Sequence, residues 1–152
     1  MIFSSRHVIT ELDIGNKGKL FEFIAHQAFE DRIVKDKEKI INSFWQRELE
    51  VSTGLTDGFA IPHVKSDSVI NPSIYFIKLK NSINWESLDN QPVKYIFALL
   101  VPITGASNLH LQMISKLATS LLDEDFTQKI ISSTNTEEIA SIINNAMKGD
   151  WL

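Results

Sequence analysis

The sequence predicts an α/β (α+β) sandwich, a fold in which helices pack against a sheet. Two observations support this prediction. Apolar residues recur at helical spacing near both ends of the chain, and shorter apolar segments typical of strands lie between them. The chain has 152 residues, of which 43% are hydrophobic, enough to bury a core of its own. No repeat or Pro/Gly/Ser-rich linker divides the sequence, so we expect a single domain over residues 1–152.

Two helices are predicted in the first third of the chain. The first covers residues 16–29, with Asn16 as a possible N-cap, and the second covers residues 35–49. Gly54 and Gly58 make it improbable that the second helix continues further. The expected buried residues are Leu20, Phe23, Ile24 and Ala28 in the first helix and Ile40, Ile41, Phe44 and Trp45 in the second.

Three strands are predicted next, followed by three helices. The strands cover residues 59–64, 73–80 and 93–101, and the last is almost entirely apolar, as in a strand covered on both faces. The first of these helices should begin after Ser107 or Asn108 and end near residue 123. Shorter helices are expected at 124–132 and 135–147, where Asn135 and Glu138 stand in a capping-box relation. The expected buried stripe of the helix at 107–123 is Leu111, Ile114, Leu117, Ala118 and Leu121.

Composition excludes several classes of function. A formal net charge of -4, from 15 basic and 19 acidic residues, argues against nucleic-acid binding. The sequence contains neither an apolar run long enough to insert into a membrane nor the apolar region of a signal peptide, so we expect a cytoplasmic protein. Cysteine is absent, which rules out a thiol nucleophile. The four histidines show no i, i+4 pair, so no metal site is predicted.

The segment STGLTDGFAIPH, residues 52–63, is the most suggestive of chemistry. Pro62 lacks an N–H group and should end the preceding strand, presenting His63 at its terminus, where functional groups of α/β sheets commonly lie. The glycines before it allow backbone N–H groups to cradle an anion. A neutral imidazole beside such a loop suits reversible attachment of a phosphoryl group. The residues alone leave open a second interpretation, an ordinary turn followed by a histidine that caps a carbonyl.

This segment resembles the active-site motif of the enzyme IIA components of the bacterial sugar phosphotransferase system, fructose–mannitol type. That motif has the form S-T-G-(I/L)-x-x-G-(I/V/F)-A-(I/L)-P-H. The resemblance extends from about residue 8 to residue 147, including a later tryptophan and D-(G/N)-x-P-V turn and a helix that bears a second histidine. Thr56 and Val64 depart from the usual pattern. The matching residues of the motif are Ser52, Thr53, Gly54, Leu55, Gly58, Phe59, Ala60, Ile61, Pro62 and His63.

The resemblance implies a mixed β-sheet of about five strands flanked by helices on both faces. It also implies a phosphoryl relay, in which the phosphocarrier HPr donates to His63 and the group passes to a cysteine of enzyme IIB. IIB then phosphorylates a sugar as the membrane component IIC imports it. The motif is most similar to that of the fructose-type group. No metal or other cofactor is required.

The resemblance also implies supporting roles for several residues. His110 would orient the site or donate to phosphoryl oxygens, and Arg47 would supply charge-assisted hydrogen bonds, unless it only forms an exposed ion pair with Glu48 or Glu50. An apolar rim for partner docking is expected at Leu55, Phe59 and Val64. The remaining phosphoryl- or partner-binding residues implied are Ser52, Thr53, Gly54, Leu55 and Pro62.

Two other functions remain open at this stage. One is a regulatory domain of the same fold, such as the nitrogen-related branch, which would signal by its phosphorylation state. The other is a non-catalytic binding domain, which an unreactive His63 would favour.

Overall fold

A computed structural model describes residues 3–103 and 108–148. In these two ranges, five strands form one mixed sheet and five α-helices cover it, after a short 3-10 turn at Ser5–His7. The strands are β1 (Val8–Leu12), β2 (Phe59–Ala60), β3 (His63–Ser66), β4 (Ser73–Ile83) and β5 (Val93–Pro102). The helices are α1 (Lys17–Glu30), α2 (Lys37–Glu50), α3 (Leu109–Leu121), α4 (Glu124–Ser132) and α5 (Thr136–Ala146).

The sheet has the order β1–β4–β5–β2, and β3 also pairs with β5. β4 and β5 are antiparallel, while β1 runs parallel to β4 and both β2 and β3 run parallel to β5. The predicted mixed sheet with helices on both faces is therefore confirmed. β2 and β3 lie one after the other along the same side of β5, at an edge of the sheet.

Alternate side chains of the central strands divide the core into two layers. On one face Tyr75, Ile77 and Ile96 belong to the same cluster as the buried side chains of α1 and α2. On the other face Phe76 and Phe97 belong with those of α3, α4 and α5. Burial of each large apolar side chain contributes about 1.5–3 kcal/mol to stability. Because β5 carries apolar side chains on both faces, helices on both sides are needed to bury them.

Most predicted elements are confirmed, but some bounds and buried positions differ, among them Trp45, which is 36% exposed. The N-cap of α1 is confirmed, since the Asn16 side chain accepts a hydrogen bond from the Lys19 N–H at 2.9 Å. β1 was not predicted, and the strand at 73–80 extends to Ile83. The stripe of α3 was placed wrongly at Leu111, which is 58% exposed, and at Ala118, which is also exposed. Its buried residues include Met113 and Leu117.

Two details concern the helix ends. Ser107, one of the two predicted caps of α3, lies outside the described residues, and the Asn108 side chain makes no capping hydrogen bond. In α5 the Asn135 side chain accepts from the N–H of Glu137 and of Glu138, which satisfies two free donors of the first turn.

None of the helices described has the length and apolar character needed to cross a membrane.

Candidate active site

His63 is the first residue of β3, at a break between two short strands. The prediction that Pro62 ends the strand was wrong, because the chain pairs with β5 both before and after Pro62. The single strand predicted at 59–64 is instead divided into β2 and β3. Pro62 has no N–H to donate and interrupts the pairing, but its carbonyl accepts from the Leu99 N–H at 3.0 Å. The chain therefore continues beside β5, and His63 is held by strand pairing rather than by a loop.

Two hydrogen bonds define the state of the His63 ring. Nδ1 lies 2.7 Å from the carbonyl oxygen of Ile61, which can only accept, so Nδ1 must carry the proton. Nε of Arg47 donates to Nε2 at 2.9 Å, so Nε2 must be the unprotonated acceptor. The geometry is consistent with one neutral tautomer, with Nδ1 protonated and a lone pair on Nε2. Arg47 is itself fixed by a bond of 3.0 Å from Nη1 to the carbonyl of Val51.

The surroundings of His63 favour this neutral state. Burial of the ring lowers the pKa of His63 below its ordinary value of 6.5, although the hydrogen bond to the Ile61 carbonyl opposes this change. The positive charge of Arg47 lowers the pKa further. Nε2 therefore stays unprotonated at neutral pH.

Arg47, His63 and His110 line one cleft of about 290 Å³, together with the exposed Lys65. The structure thus brings together the three side chains that the resemblance singled out. Burial, and then the positive charge of Lys65, lower the pKa of His110 below its ordinary value. Nδ1 of His110 is buried and has no hydrogen-bond partner among the described residues. The cleft can thus offer an anion two cationic side chains beside a neutral nucleophilic ring. The remaining lining residues are Ser43, Gln46, Glu50 and Val64.

The loop of residues 52–58, called the glycine loop below, directs its donors into the protein rather than into this cleft. The Thr53 N–H and hydroxyl both bond to the carboxylate of Glu48, at 3.1 Å and 2.6 Å. The Ser52 hydroxyl also donates to Glu48, at 3.2 Å, and accepts from the Gly54 N–H. This differs from the expectation that Thr53 and Gly54 face the phosphoryl group. Neither these residues nor Leu55 and Pro62 line the cleft.

Glu48 is the site residue that sequence reasoning missed. It is only 7% exposed and does not pair with Arg47, although an ion pair with Glu48 or Glu50 was the alternative considered for that arginine. A signal was present, because Glu48 continues the i, i+4 spacing of Ile40 and Phe44, the two other buried residues of α2. A charged residue at a buried position of a helix indicates a specific partner.

The expected apolar rim is also placed differently. Phe59 and Val64 are 2% and 4% exposed and belong to the core, and only Leu55 is partly accessible. Alternation along β3 turns His63 and Lys65 outward and Val64 inward. This accounts for the branched side chain of Val64, which fills the layer beneath α1 and α2.

The sequence matches the family described as the phosphoenolpyruvate-dependent sugar phosphotransferase system, EIIA 2, over residues 1–146. It is 41% identical over 108 residues to the fructose-specific EIIABC component of Bacillus subtilis, covering 71% of this chain but only 16% of that protein. It is 31% identical over 122 residues to the fructose-specific EIIA component of Haloferax volcanii, covering 80% of this chain and 79% of that protein.

Solved structures resemble the fold closely. The nitrogen regulatory protein IIA-Ntr of Neisseria meningitidis superposes with a TM-score of 0.84 and 29% identity, over 91% of this chain and 94% of that one. The mannitol enzyme IIA of Escherichia coli, determined in complex with phosphorylated enzyme IIB, gives a TM-score of 0.79 at 15% identity, over 95% and 98% of the two chains. The chain therefore belongs to the EIIA type 2 family of the phosphoenolpyruvate-dependent sugar phosphotransferase system, a family of phosphoryl-transfer proteins.

Proposed function

We propose that His63 accepts a phosphoryl group from phospho-HPr through Nε2 and passes it to a cysteine of an enzyme IIB, in the cytoplasm. The observation that carries this proposal is the pair of hydrogen bonds to the two ring nitrogens. Nδ1–H donates a hydrogen bond to the Ile61 carbonyl, so Nε2 keeps a lone pair. No base is therefore needed to activate the nucleophile. The fructose-specific names of two relatives favour a fructose-type system.

In the accepting step, the Nε2 lone pair attacks phosphorus. An N–P bond forms while the bond from phosphorus to the donor breaks and its electron pair leaves with the donor. The His63 ring gains positive charge, which the Ile61 carbonyl stabilises through Nδ1–H. Arg47 must release Nε2 at this moment, and its guanidinium can then donate to the phosphoryl oxygens. His110 and Lys65 line the same cleft and would add hydrogen bonding and positive charge there.

Exposed apolar side chains next to the cleft offer a surface for HPr and IIB. Leu49 and Val51 flank the cleft residue Glu50 and are 80% and 64% exposed. Leu111, beside His110, is 58% exposed. Large exposed apolar residues around a reactive group suit brief partner complexes. We place the docking rim at these three residues.

The test is phosphorylation by phosphoenolpyruvate, enzyme I and HPr, followed by intact mass measurement. We expect an acid-labile gain of one phosphoryl group, abolished by His63→Ala and slowed but not abolished by His110→Ala. His26→Ala is the matched control, since His26 is an exposed histidine of α1 outside the cleft. An unchanged gain in His63→Ala would refute the proposal, and the absence of any gain in the wild type would favour a non-catalytic domain.

A regulatory function is the second candidate, because IIA-Ntr of Neisseria meningitidis is 29% identical and has the same fold. Both functions require phosphorylation of His63, but they differ in its consumption. Fructose, added with membranes that contain the cognate IIB and IIC, should dephosphorylate a transport component. Persistence of the phosphoryl group under these conditions would favour the regulatory function.

A further inference from the structure

We propose that Glu48 is a positioning residue for the transfer reaction, which holds the His63 ring in its Nδ1-protonated tautomer through the backbone of Thr53 and Ile61. The inference rests on the proposed role of His63 as the phosphoryl acceptor. Arg47 and Glu48 are neighbours on α2, yet one contacts the cleft side of the ring and the other acts from the protein interior.

Four residues donate hydrogen bonds to the carboxylate of Glu48. Oε1 accepts from Lys17 Nζ at 3.3 Å, Ser52 Oγ at 3.2 Å, Thr53 N at 3.1 Å and Trp85 Nε1 at 2.7 Å. Oε2 accepts from Thr53 N at 3.2 Å and Thr53 Oγ1 at 2.6 Å. A buried carboxylate is tolerated when it is paired and hydrogen-bonded in this way. The beginning of the glycine loop is thereby tied to α2 and to Trp85.

A continuous series of hydrogen bonds leads from Thr53 to the reactive ring. The Thr53 carbonyl accepts from the Ile61 N–H at 3.0 Å, and the Ile61 carbonyl accepts from Nδ1–H of His63 at 2.7 Å. Thr53 is held by Glu48 on one side and holds the peptide of Ile61 on the other. Consecutive hydrogen bonds in a protein interior reinforce one another. The position of the Ile61 carbonyl therefore depends on Glu48, and this carbonyl acts together with Arg47, on the other side of the ring, to keep the proton on Nδ1.

The charge of Glu48 is essential to this arrangement, because all its partners are donors. A glutamine has the same shape but one acceptor oxygen, and its NH2 group must face one set of donors. Oε1 bonds the ammonium of Lys17 and the indole N–H of Trp85, so the amide nitrogen should take the Oε2 position. There it meets the N–H of Thr53, which keeps only its bond to Oε1, and the hydroxyl of Thr53, which can no longer donate to this position. Glu48→Gln should therefore loosen Thr53 in particular.

The experiment measures the ring nitrogens of His63 by 15N NMR in wild type and Glu48→Gln, before any phosphorylation. We expect one neutral tautomer in the wild type and a mixture of the Nδ1–H and Nε2–H forms in the variant. Phosphorylation by phospho-HPr should slow by roughly tenfold, as expected for a misplaced reacting group, with the KM for HPr little changed. Loss of positioning should thus appear in kcat.

Three further variants keep the test decisive. Trp85→Phe removes another donor to the same carboxylate but lies outside the series to His63, so it should leave the tautomer unchanged. Thr53→Val removes the hydroxyl donor and should reproduce part of the Glu48→Gln mixture, while Thr53→Ser should restore the wild-type spectrum. If Glu48→Gln does not fold, the Thr53 pair decides the question alone.

The outcomes separate this inference from the proposed function. A single tautomer in both Glu48→Gln and Thr53→Val would overturn the positioning role even if His63 is phosphorylated normally. A wild type that does not accept a phosphoryl group would overturn the function, while the tautomer measurement would still report whether Glu48 controls the ring.

Discussion

At the scale of single residues, α2 contributes two adjacent charged side chains with separate tasks. Arg47 is half-buried and donates a hydrogen bond to Nε2 of His63, whereas Glu48 is buried and contacts the glycine loop. Arg47 could be proposed from the sequence because its position matches a family motif. The spacing of Glu48 marks a buried position, but its role could not be proposed, since Trp85 lies 37 residues further along the chain and QRELE by itself indicates an exposed charged face.

The contribution of Arg47 can be measured with Arg47→Gln. Removal of the guanidinium takes away a positive charge that opposes protonation, so the pKa of His63 should rise towards 6.5 while burial still keeps it below that value. Phosphoryl transfer should fall by about 100-fold, as for loss of one preorganised donor. NMR titration of the His63 ring checks the pKa. Arg6→Gln, at an exposed arginine outside the cleft, is the control, and an unchanged His63 pKa in Arg47→Gln would contradict the prediction.

Lys78 permits a test of the opposite face of the sheet. Its buried ammonium donates to the carbonyls of Ile131 and Ser133 at 2.8 Å each, at the end of α4. Lys78→Met keeps the aliphatic stem but leaves both carbonyls unpaired, so unfolding free energy should fall by about 1–3 kcal/mol. Urea denaturation measures this change. Lys80→Met, at an exposed lysine of the same strand, should change stability little. Equal losses in the two variants would refute the stabilising role of the two hydrogen bonds from Lys78.

At the scale of elements, local patterns predicted the helices better than the sheet edges. Periodicity located α1, α2 and α5, and capping residues marked the starts of α1 and α5, because these signals lie within or next to each helix. β1 was missed since its five residues, VITEL, are only partly apolar and its pairing partners in β4 are distant in sequence. The division of the edge strand at Pro62 was also missed, because the bond from Leu99 that resumes the pairing comes from β5.

The glycine loop depends on a close approach that Gly54 allows. A Cβ at this position would lie 2.7 Å from Cδ1 of Trp85 and 2.9 Å from the Cα of Ser87. Gly54→Ala must therefore displace the loop from the segment that follows β4, and overpacking of this kind costs about 1–3 kcal/mol. Thermal unfolding should show the loss, and amide shifts of Ser52 and Thr53 should change.

Gly15→Ala is the matched control for this loop, because a Cβ there meets no atom within 4 Å. Its unfolding temperature should remain close to that of the wild type. If Gly54→Ala proves as stable as Gly15→Ala, the loop does not rest on Trp85 as the structure describes.

At the scale of the whole molecule, the neutral histidines of the cleft should make stability depend on pH. Burial lowers the pKa of both His63 and His110, so below 6.5 the unfolded chain binds protons that the folded chain does not. The contribution to unfolding free energy is complete above this pH and is lost progressively as pH falls towards the folded-state pKa values. Denaturant unfolding between about pH 5 and 7 isolates the histidines from the carboxylates.

His63→Gln is the decisive variant for this pH dependence. Glutamine does not titrate, so the fall in unfolding free energy between pH 7 and 5 should be smaller than in the wild type. The fall that remains should be smaller still in the double variant with His110→Gln, since burial lowers the pKa of His110 as well. An identical pH slope in wild type and His63→Gln would mean that the ring is as easily protonated in the folded protein as in the unfolded chain. That result would also remove the electrostatic basis for a neutral nucleophile at neutral pH.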